Sequence, residues 1–446
     1  MNRKKIIVIG GGFAGIAFVK HLDENLFEIL LIDKLNHYQF QPLFYQVAAS
    51  QLEPSSISFP LRKIFQKRKN TDIRMAEVLE VKPEANTITT SIGNFNYDYL
   101  VIATGCKTNF YKNSNVEKNA LGLKTTLDAI KIRNNILQSF EDFLSATENE
   151  KEYLLNIVIV GAGPTGVELS GALAEIKKNI LPKDFPLIDF KNLRIILLES
   201  SPHTLNNMSD LAKKTAKKYL DALGVEVKTN VIVKDYDGKI ITLNTGEKIK
   251  SKNVIWAAGV TGNMIKGLNE TLIVGNNRIK VNRHNLVEGY KNIYAVGDIS
   301  YMETPSYPKG HPQLANVAIN QAKNLAKNLY HLNQGKSLRE YEYVNLGSMA
   351  TIGKNKAVVD LPNLRFKGML AWFIWMFLHL MLILSVRNKL IIFINWAWGY
   401  FTNDTSLRLI LKETNTTNAK NQFVEKNADE RSQEIEEIGA SYNKKL

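Results

Sequence analysis

The sequence is nearly free of cysteine: Cys106 stands alone among 446 residues. One thiol permits no intrachain disulfide, no CxxC redox pair and no cysteine-based zinc site, and nothing asks for an oxidising compartment. The seven histidines (His21, His37, His203, His284, His311, His331 and His379) are scattered without ligand-like spacing, so no metal site is expected. A signal peptide is lacking as well. The basic start Met1-Asn2-Arg3-Lys4-Lys5 is followed by only four apolar residues, Ile6–Ile9, before Gly10-Gly11-Gly12. There is no Arg- and Ser-rich transit segment and no nucleic-acid-binding motif.

What is present sets the class. Apolar residues make up 45% and charged residues 22%, an ordinary globular balance that excludes a disordered or fibrous bulk. The length suits two to four domains at ~100–200 residues each. With 57 Lys+Arg against 43 Asp+Glu the net charge is +14, which points to an anionic partner. The stretch 413–446 holds five basic and seven acidic residues and is rich in Asn, Glu and Lys. It reads as a disordered polar tail, and the positive charge belongs to the body.

Short apolar runs alternate with helical stretches. Ile6–Ile9, Phe27–Ile32, Tyr99–Ala103, Ile157–Val160, Ile195–Leu198, Val254–Ala257 and Ile293–Val296 are expected strands, with helices from about Gly15 and Gly166. This alternation predicts an α/β fold with parallel sheets. The strand, glycine turn and helix recur about 150 residues apart, which suggests two Rossmann-like dinucleotide-binding units.

The first glycine motif is Gly10-Gly11-Gly12-Phe13-Ala14-Gly15, directly after a strand. Its glycines allow a tight turn, close approach of backbone to a pyrophosphate, and helix-on-strand packing. The pyrophosphate sits at the positive helix end. Asp33, with Lys34 beside it, closes the second strand where a ribose-binding acid belongs. The second motif is Gly161-Ala162-Gly163-Pro164-Thr165-Gly166, with Glu199 as its acid. The interval from Gly161 to Glu199 exceeds the usual ~20 residues, and an insertion around Pro182 and Pro186 accounts for the excess. A carboxylate there favours a free 2′-hydroxyl over a 2′-phosphate, hence NADH over NADPH. The alternative is a solvated strand-end charge.

Two such sites in one chain suit a flavin adenine dinucleotide held against a nicotinamide. On these residues the sequence resembles the two-dinucleotide-binding flavoproteins. Ala103-Thr104-Gly105 is similar to their ATG motif, and Ala257-Ala258-Gly259 to its counterpart in the second domain. Ala295-Val296-Gly297-Asp298 is similar to the late FAD motif, which implies that Asp298 is an FAD ligand. Among these flavoproteins residues 4–412 resemble type II NADH:quinone oxidoreductases. The resemblance is carried by Phe40–Ala48, which includes Gln46, and by Leu123-Lys124, Asp128-Ala129 and Arg133. Gly166-Val167-Glu168, Gly347–Ala350, Gly353-Lys354 and Ala357-Val358 extend it, and Gly368, Ala371-Trp372, Trp375 and His379 complete it.

The resemblance implies non-covalent FAD, NADH as substrate and a membrane quinone as acceptor, without proton pumping. It implies an FAD-binding domain from 1–115 and 285–345, an NADH-binding domain at 116–284, and a membrane-binding segment at 346–412. Gln46 and Glu168 are implied near the flavin and quinone. Asn316 and Asn320 stand where the family often carries two glutamines, so any hydrogen bond to quinone shifts or passes through water. Glu168 also suits the first turn of its helix on electrostatic grounds alone. The absence of a cysteine pair argues against disulfide reductases and sulfide:quinone oxidoreductases.

From Gly368 to Val386 no residue is charged, and Leu390–Tyr400 is again apolar and aromatic. Nineteen such residues could span a membrane as a helix, lie in one leaflet, or form a dimer interface. The resemblance favours the monotopic arrangement, on the cytoplasmic face of the inner membrane. Trp372, Trp375, Trp396, Trp398 and Tyr400 would then lie at the interface, and Arg365, Lys367, Arg387, Lys389 and Arg408 near anionic lipid. A homodimer is expected. Two other readings stay open: a soluble ferredoxin- or rubredoxin-reductase-like flavoenzyme, and a flavin-binding redox sensor that does not turn over.

Overall fold

The computed structural model describes residues 3–405 and 407–411. Met1–Arg408 forms one compact unit. Of a second unit, Leu409–Leu446, only residues 409–411 are described, in no helix or strand. The tail expected at 413–446 lies outside the described residues.

Strand β1 (Lys4–Ile9) leads through the first glycine turn into helix α1 (Phe13–His21) and strand β2 (Phe27–Asp33). A short helix α2 (Phe44–Ala48) and strands β3 (Thr71–Met75) and β4 (Tyr99–Ile102) follow. A second series opens with β5 (Leu121–Gly122), α3 (Thr126–Phe143), β6 (Asn156–Val160) and α4 (Pro164–Asn179). It continues through β7 (Arg194–Leu198), α5 (Asp210–Ala222), β8 (Val225–Lys228) and β9 (Asn253–Trp256). The chain then returns to the first series with β10 (Ile293–Ala295) and α6 (Ala315–Asn333).

Two five-stranded parallel sheets result, in the orders β10-β4-β1-β2-β3 and β5-β9-β6-β7-β8. Each glycine-motif strand is therefore central in its sheet. Parallel strands need cover on both faces, which explains the unbroken apolar runs. Ile6 and Val8 join one core while Ile7 and Ile9 join another, following the period of two. Ile157 and Ile159 enter the same core as Ile6 and Val8, so one hydrophobic mass links the two sheets.

Helices α1 and α4 start at Phe13 and Pro164, two residues before the positions expected from the sequence. Proline is favoured there because its fixed φ suits the first turn and its missing N–H would have no intrahelical partner. Helix α3 carries a capping box between Thr125 and Asp128.

The remaining chain forms an antiparallel sheet of β11 (Ser348–Gly353), β12 (Lys356–Asp360) and β13 (Arg365–Lys367), then helices α7 (Met369–Leu382) and α8 (Val386–Thr402). The uncharged run 368–386 is thus not one helix. Gly368 turns the chain at φ +77°, and α7 ends at Leu382, where Ile383 turns extended before α8 begins. Fourteen residues rise about 21 Å, short of a ~30 Å hydrocarbon core. Among the described residues no helix is long and apolar enough to cross a membrane. Both helices nevertheless present large apolar side chains to the outside, among them Phe373, Phe377, Met381, Phe393, Ile394 and Phe401.

Candidate functional site

The two glycine turns are built alike. Gly10 and Gly161 adopt φ of +106° and +101°, where only glycine is comfortable. A Cβ on Gly10 would meet the Ala103 carbonyl oxygen at 2.3 Å, and one on Gly161 would meet Ala258 Cα at 2.8 Å. These contacts bring Ala103 and Ala258 to the turns. Thr104 Oγ1 donates to the Asn263 carbonyl at 2.8 Å, and the Asn263 amide donates back to the Thr104 carbonyl at 3.0 Å. Gly105 and Gly259 both have positive φ.

The acids bond the same place in each turn. Asp33 accepts from the Gly11 N–H at 2.6 Å and the Leu35 N–H at 2.7 Å, and burial pushes its carboxyl upward despite both bonds. Glu199 accepts from the Ala162 N–H at 2.6 Å, the Ser201 N–H at 2.7 Å and the Ser200 hydroxyl at 3.2 Å. Lys34 is two-thirds exposed and paired with Glu77. Phe13 packs edge-on against Tyr38 and Phe40, Ala14 lies against Gly297, and Pro164 and Thr165 are exposed. Asp298 is partly buried and accepts from the Cys106 thiol at 2.9 Å. Burial pushes that thiol up to about 12, with the Asp298 charge adding to it.

These residues fit dinucleotides. A Cβ on Gly12 or on Gly163 would meet nothing within 4 Å, so open space faces the first turn of each helix. Neither helix has a side-chain N-cap, so its leading N–H groups are available to an anion. Gly10, Gly12 and Gly15, with Asp33, Ala103–Gly105 and Asp298, would hold FAD. The second set would hold NADH.

A cavity of about 140 Å³ opens between α2, α4, β11, α7 and α8. It brings together Gln46 and Glu168, which lie far apart in sequence. Helix α2 packs on α4 to bring them there, and Gly171 admits a further wall: a Cβ there would stand 2.2 Å from the Ile352 carbonyl oxygen, so β11 lies directly on α4. One turn earlier, Glu168 accepts a long bond from the Thr351 N–H at 3.4 Å. The buried Trp375 indole N–H faces this carboxyl without reaching hydrogen-bond geometry. Burial pushes the Glu168 carboxyl up to about 8, so it holds its proton at neutral pH.

Sequence reasoning missed most of the other walls. Glu175 lies seven residues beyond Glu168, two helical turns along one face, and that spacing was a usable signal. It accepts from the Lys354 N–H, and burial raises its carboxyl too. Tyr45 is 3% exposed, and burial pushes its hydroxyl well above the ordinary range, with the Glu168 charge adding to it. Trp375 stacks on His379 with centroids 4.0 Å apart. His379 Nδ1 donates to the Trp375 carbonyl, and burial lowers the imidazole to about 4, so it stays neutral. Asn316 and Asn320 do not line this cavity. Asn316 donates to the Tyr343 hydroxyl at 3.3 Å and accepts from the Val317 N–H. Asn320 has no side-chain hydrogen bond among the described residues. The buried amide beside them is Gln321, which accepts from the Gly297 N–H and the Ser300 hydroxyl.

Comparison with known proteins gives consistent matches. Residues 4–322 match the model of the family described as pyridine nucleotide-disulphide oxidoreductase, and 345–403 that of the NDH2 C-terminal domain. The chain is 33% identical over 416 residues to type II NADH:quinone oxidoreductase NdhA of Mycobacterium tuberculosis, covering 89% of this chain and 87% of that protein. It is 31% identical to type II NADH:quinone oxidoreductase Ndh of the same organism, covering 89% and 88%. In fold it is similar to NDH2 from Plasmodium falciparum at a TM-score of 0.84, with 23% identity, covering 92% of this chain and 100% of that one.

Proposed function

We infer the working of this site from one premise: the chain belongs to the pyridine nucleotide-disulphide oxidoreductase family and, within it, to the type II NADH:quinone oxidoreductases. It is an FAD-dependent enzyme that oxidises NADH and reduces a quinone. FAD, when bound, supplies a carrier that takes hydride from NADH and gives two electrons to the quinone.

The chain's own residues bind, orient and handle protons. The α1 turn and Asp33 would hold FAD, and by the family resemblance Asp298 would bind its ribityl chain. The α4 turn and Glu199 hold NADH and disfavour a 2′-phosphate. Quinone enters the cavity beside Gln46 and Glu168 from the apolar face of α7 and α8. Protonated Glu168 supplies one of the two protons that quinol formation consumes and is reprotonated from solvent, the other proton being the one that left NADH with the hydride. The role needs a carboxyl still protonated near neutral pH. The raised Glu168 inside a cavity lined in part by α7 and α8, helices that also expose large apolar side chains, is the observation that carries this reading.

The exposed faces of α7 and α8 lie in one leaflet, with Arg387 and Lys389 near lipid headgroups. This makes the protein peripheral to the membrane; its place on the cytoplasmic face rests on the family resemblance alone. The FAD, NADH and membrane-segment boundaries given by sequence belong to the same proposal. Assembly as a homodimer does too: it rests on the family resemblance, and light scattering in detergent tests it.

Steady-state NADH oxidation by the detergent-purified yellow protein, with and without a short-chain quinone, tests the function. Bleaching by NADH and rapid recovery with quinone support it. Bleaching without recovery would move the acceptor to a small electron-transfer protein, as in the ferredoxin-reductase alternative.

A further inference from the structure

The Glu168 cavity is bordered by a chain of three side chains whose polarity is fixed at one end. Trp396 Nε1 donates to Gln46 Oε1 at 2.8 Å. An indole N–H can only donate, so the Gln46 oxygen must face Trp396 and its amide nitrogen must face away. That nitrogen then donates to the Tyr45 hydroxyl oxygen at 2.9 Å. Tyr45 is thus an acceptor toward Gln46, and its own proton is left over. No described residue accepts that proton. Tyr45 is almost wholly buried, yet it lines the cavity together with Glu168. A buried O–H donor without an acceptor is costly unless something that enters the cavity accepts it.

We propose that Tyr45 donates a hydrogen bond to the carbonyl oxygen of the quinone in this cavity, and that Trp396 holds it as a donor through the Gln46 amide. Tyr45 is then a catalytic residue for the quinone half of the reaction, while Gln46 and Trp396 are positioning residues. The proposal rests on the reading that quinone occupies the Glu168 cavity. It goes further in assigning the hydroxyl its direction. Without the indole N–H the Gln46 amide is free to turn over, and Tyr45 can then donate to its oxygen instead of to the substrate.

The test is stopped-flow kinetics on the FAD-loaded protein. NADH is the reductant and a short-chain benzoquinone the oxidant. Tyr45→Phe should slow reoxidation by quinone about tenfold, the size of one hydrogen bond that strengthens in the transition state, and should slow reduction by NADH less than twofold. Trp396→Phe should slow reoxidation in the same direction. Tyr45→Phe/Trp396→Phe should be no slower than Tyr45→Phe alone, because both act through one proton. A purely structural role for Trp396 would give additive losses instead, and that overturns the relay. Unchanged reoxidation in Tyr45→Phe overturns the donor assignment. If Glu168→Gln also leaves reoxidation unchanged, the cavity itself is misassigned; if Glu168→Gln is slow, only the tyrosine's role falls.

Discussion

A Cβ on Gly15 would lie 1.9 Å from the carbonyl oxygen of Gly10, and the same 1.9 Å separates a Cβ on Gly166 from the Gly161 carbonyl oxygen. These contacts press each helix onto its turn and aim its first N–H groups outward. Gly12 differs, since a Cβ there meets nothing. Gly15→Ala should therefore disturb the fold, whereas Gly12→Val should fold normally and fail to retain FAD. Circular dichroism and the flavin-to-protein absorbance ratio check this; a normally folded Gly12→Val protein with full flavin would contradict it.

Glu199 gathers two backbone N–H groups and a serine hydroxyl around one carboxylate. It orients the second turn as well as meeting a ribose. Glu199→Ala should raise KM for NADH about tenfold, the scale of a charged hydrogen bond, and narrow the preference for NADH over NADPH. Steady-state kinetics with both nucleotides decide it, and unchanged discrimination would leave Glu199 as a turn-holding acid only.

Phe377 of α7 and Phe393 and Phe401 of α8 are 61%, 53% and 81% exposed. Placing Asp at all three should release the protein from anionic vesicles and lower turnover with a long-chain quinone. Reduction of a water-soluble dye should change little. Flotation with vesicles checks the first outcome, and equal loss with both acceptors would contradict a membrane role.

The buried carboxyl of Glu168 ties stability to pH. Its pKa rises from 4.5 to about 8 on folding, so the folded state holds a proton that the unfolded state releases. Stability therefore falls as pH rises from 4.5 to about 8 and levels off above it, a cost on the order of 3–5 kcal/mol. Glu168→Gln keeps the shape without the ionisation. At pH 8 it should melt a few degrees above the wild type, with the gap closing toward pH 5. Scanning calorimetry at both pH values measures the difference.

The parallel sheets were legible because strand runs such as Ile6–Ile9 and turns such as Gly10–Gly15 are local signals, contained in a few residues. The break at Ile383–Ser385 was not, because an uninterrupted apolar composition says nothing of where a helix stops. Glu168 and Gln46 were named on resemblance. Their meeting depends on α2 packing against α4, while Gly171 admits β11 beside Glu168, a contact between residues 181 positions apart. For the same reason Tyr45 and Glu175 are not singled out by sequence, and Trp396 reads only as an interfacial aromatic: each acquires its role only where α2, α4 and α8 converge. The amides of Asn316 and Asn320 had the right chemistry for a quinone, but α6 carries them outside the cavity walls.

The most direct test of the Glu168 cavity as the place of quinone reduction is reoxidation of the NADH-reduced protein by a short-chain quinone between pH 6 and 9, in the wild type and in Glu168→Gln. The wild-type rate should fall as pH rises through about 8, where the carboxyl loses its proton. Glu168→Gln should be slower than the wild type at pH 6 and show no inflection there. A Glu168→Gln protein reoxidised at the wild-type rate, with the wild-type pH profile, would place the quinone elsewhere.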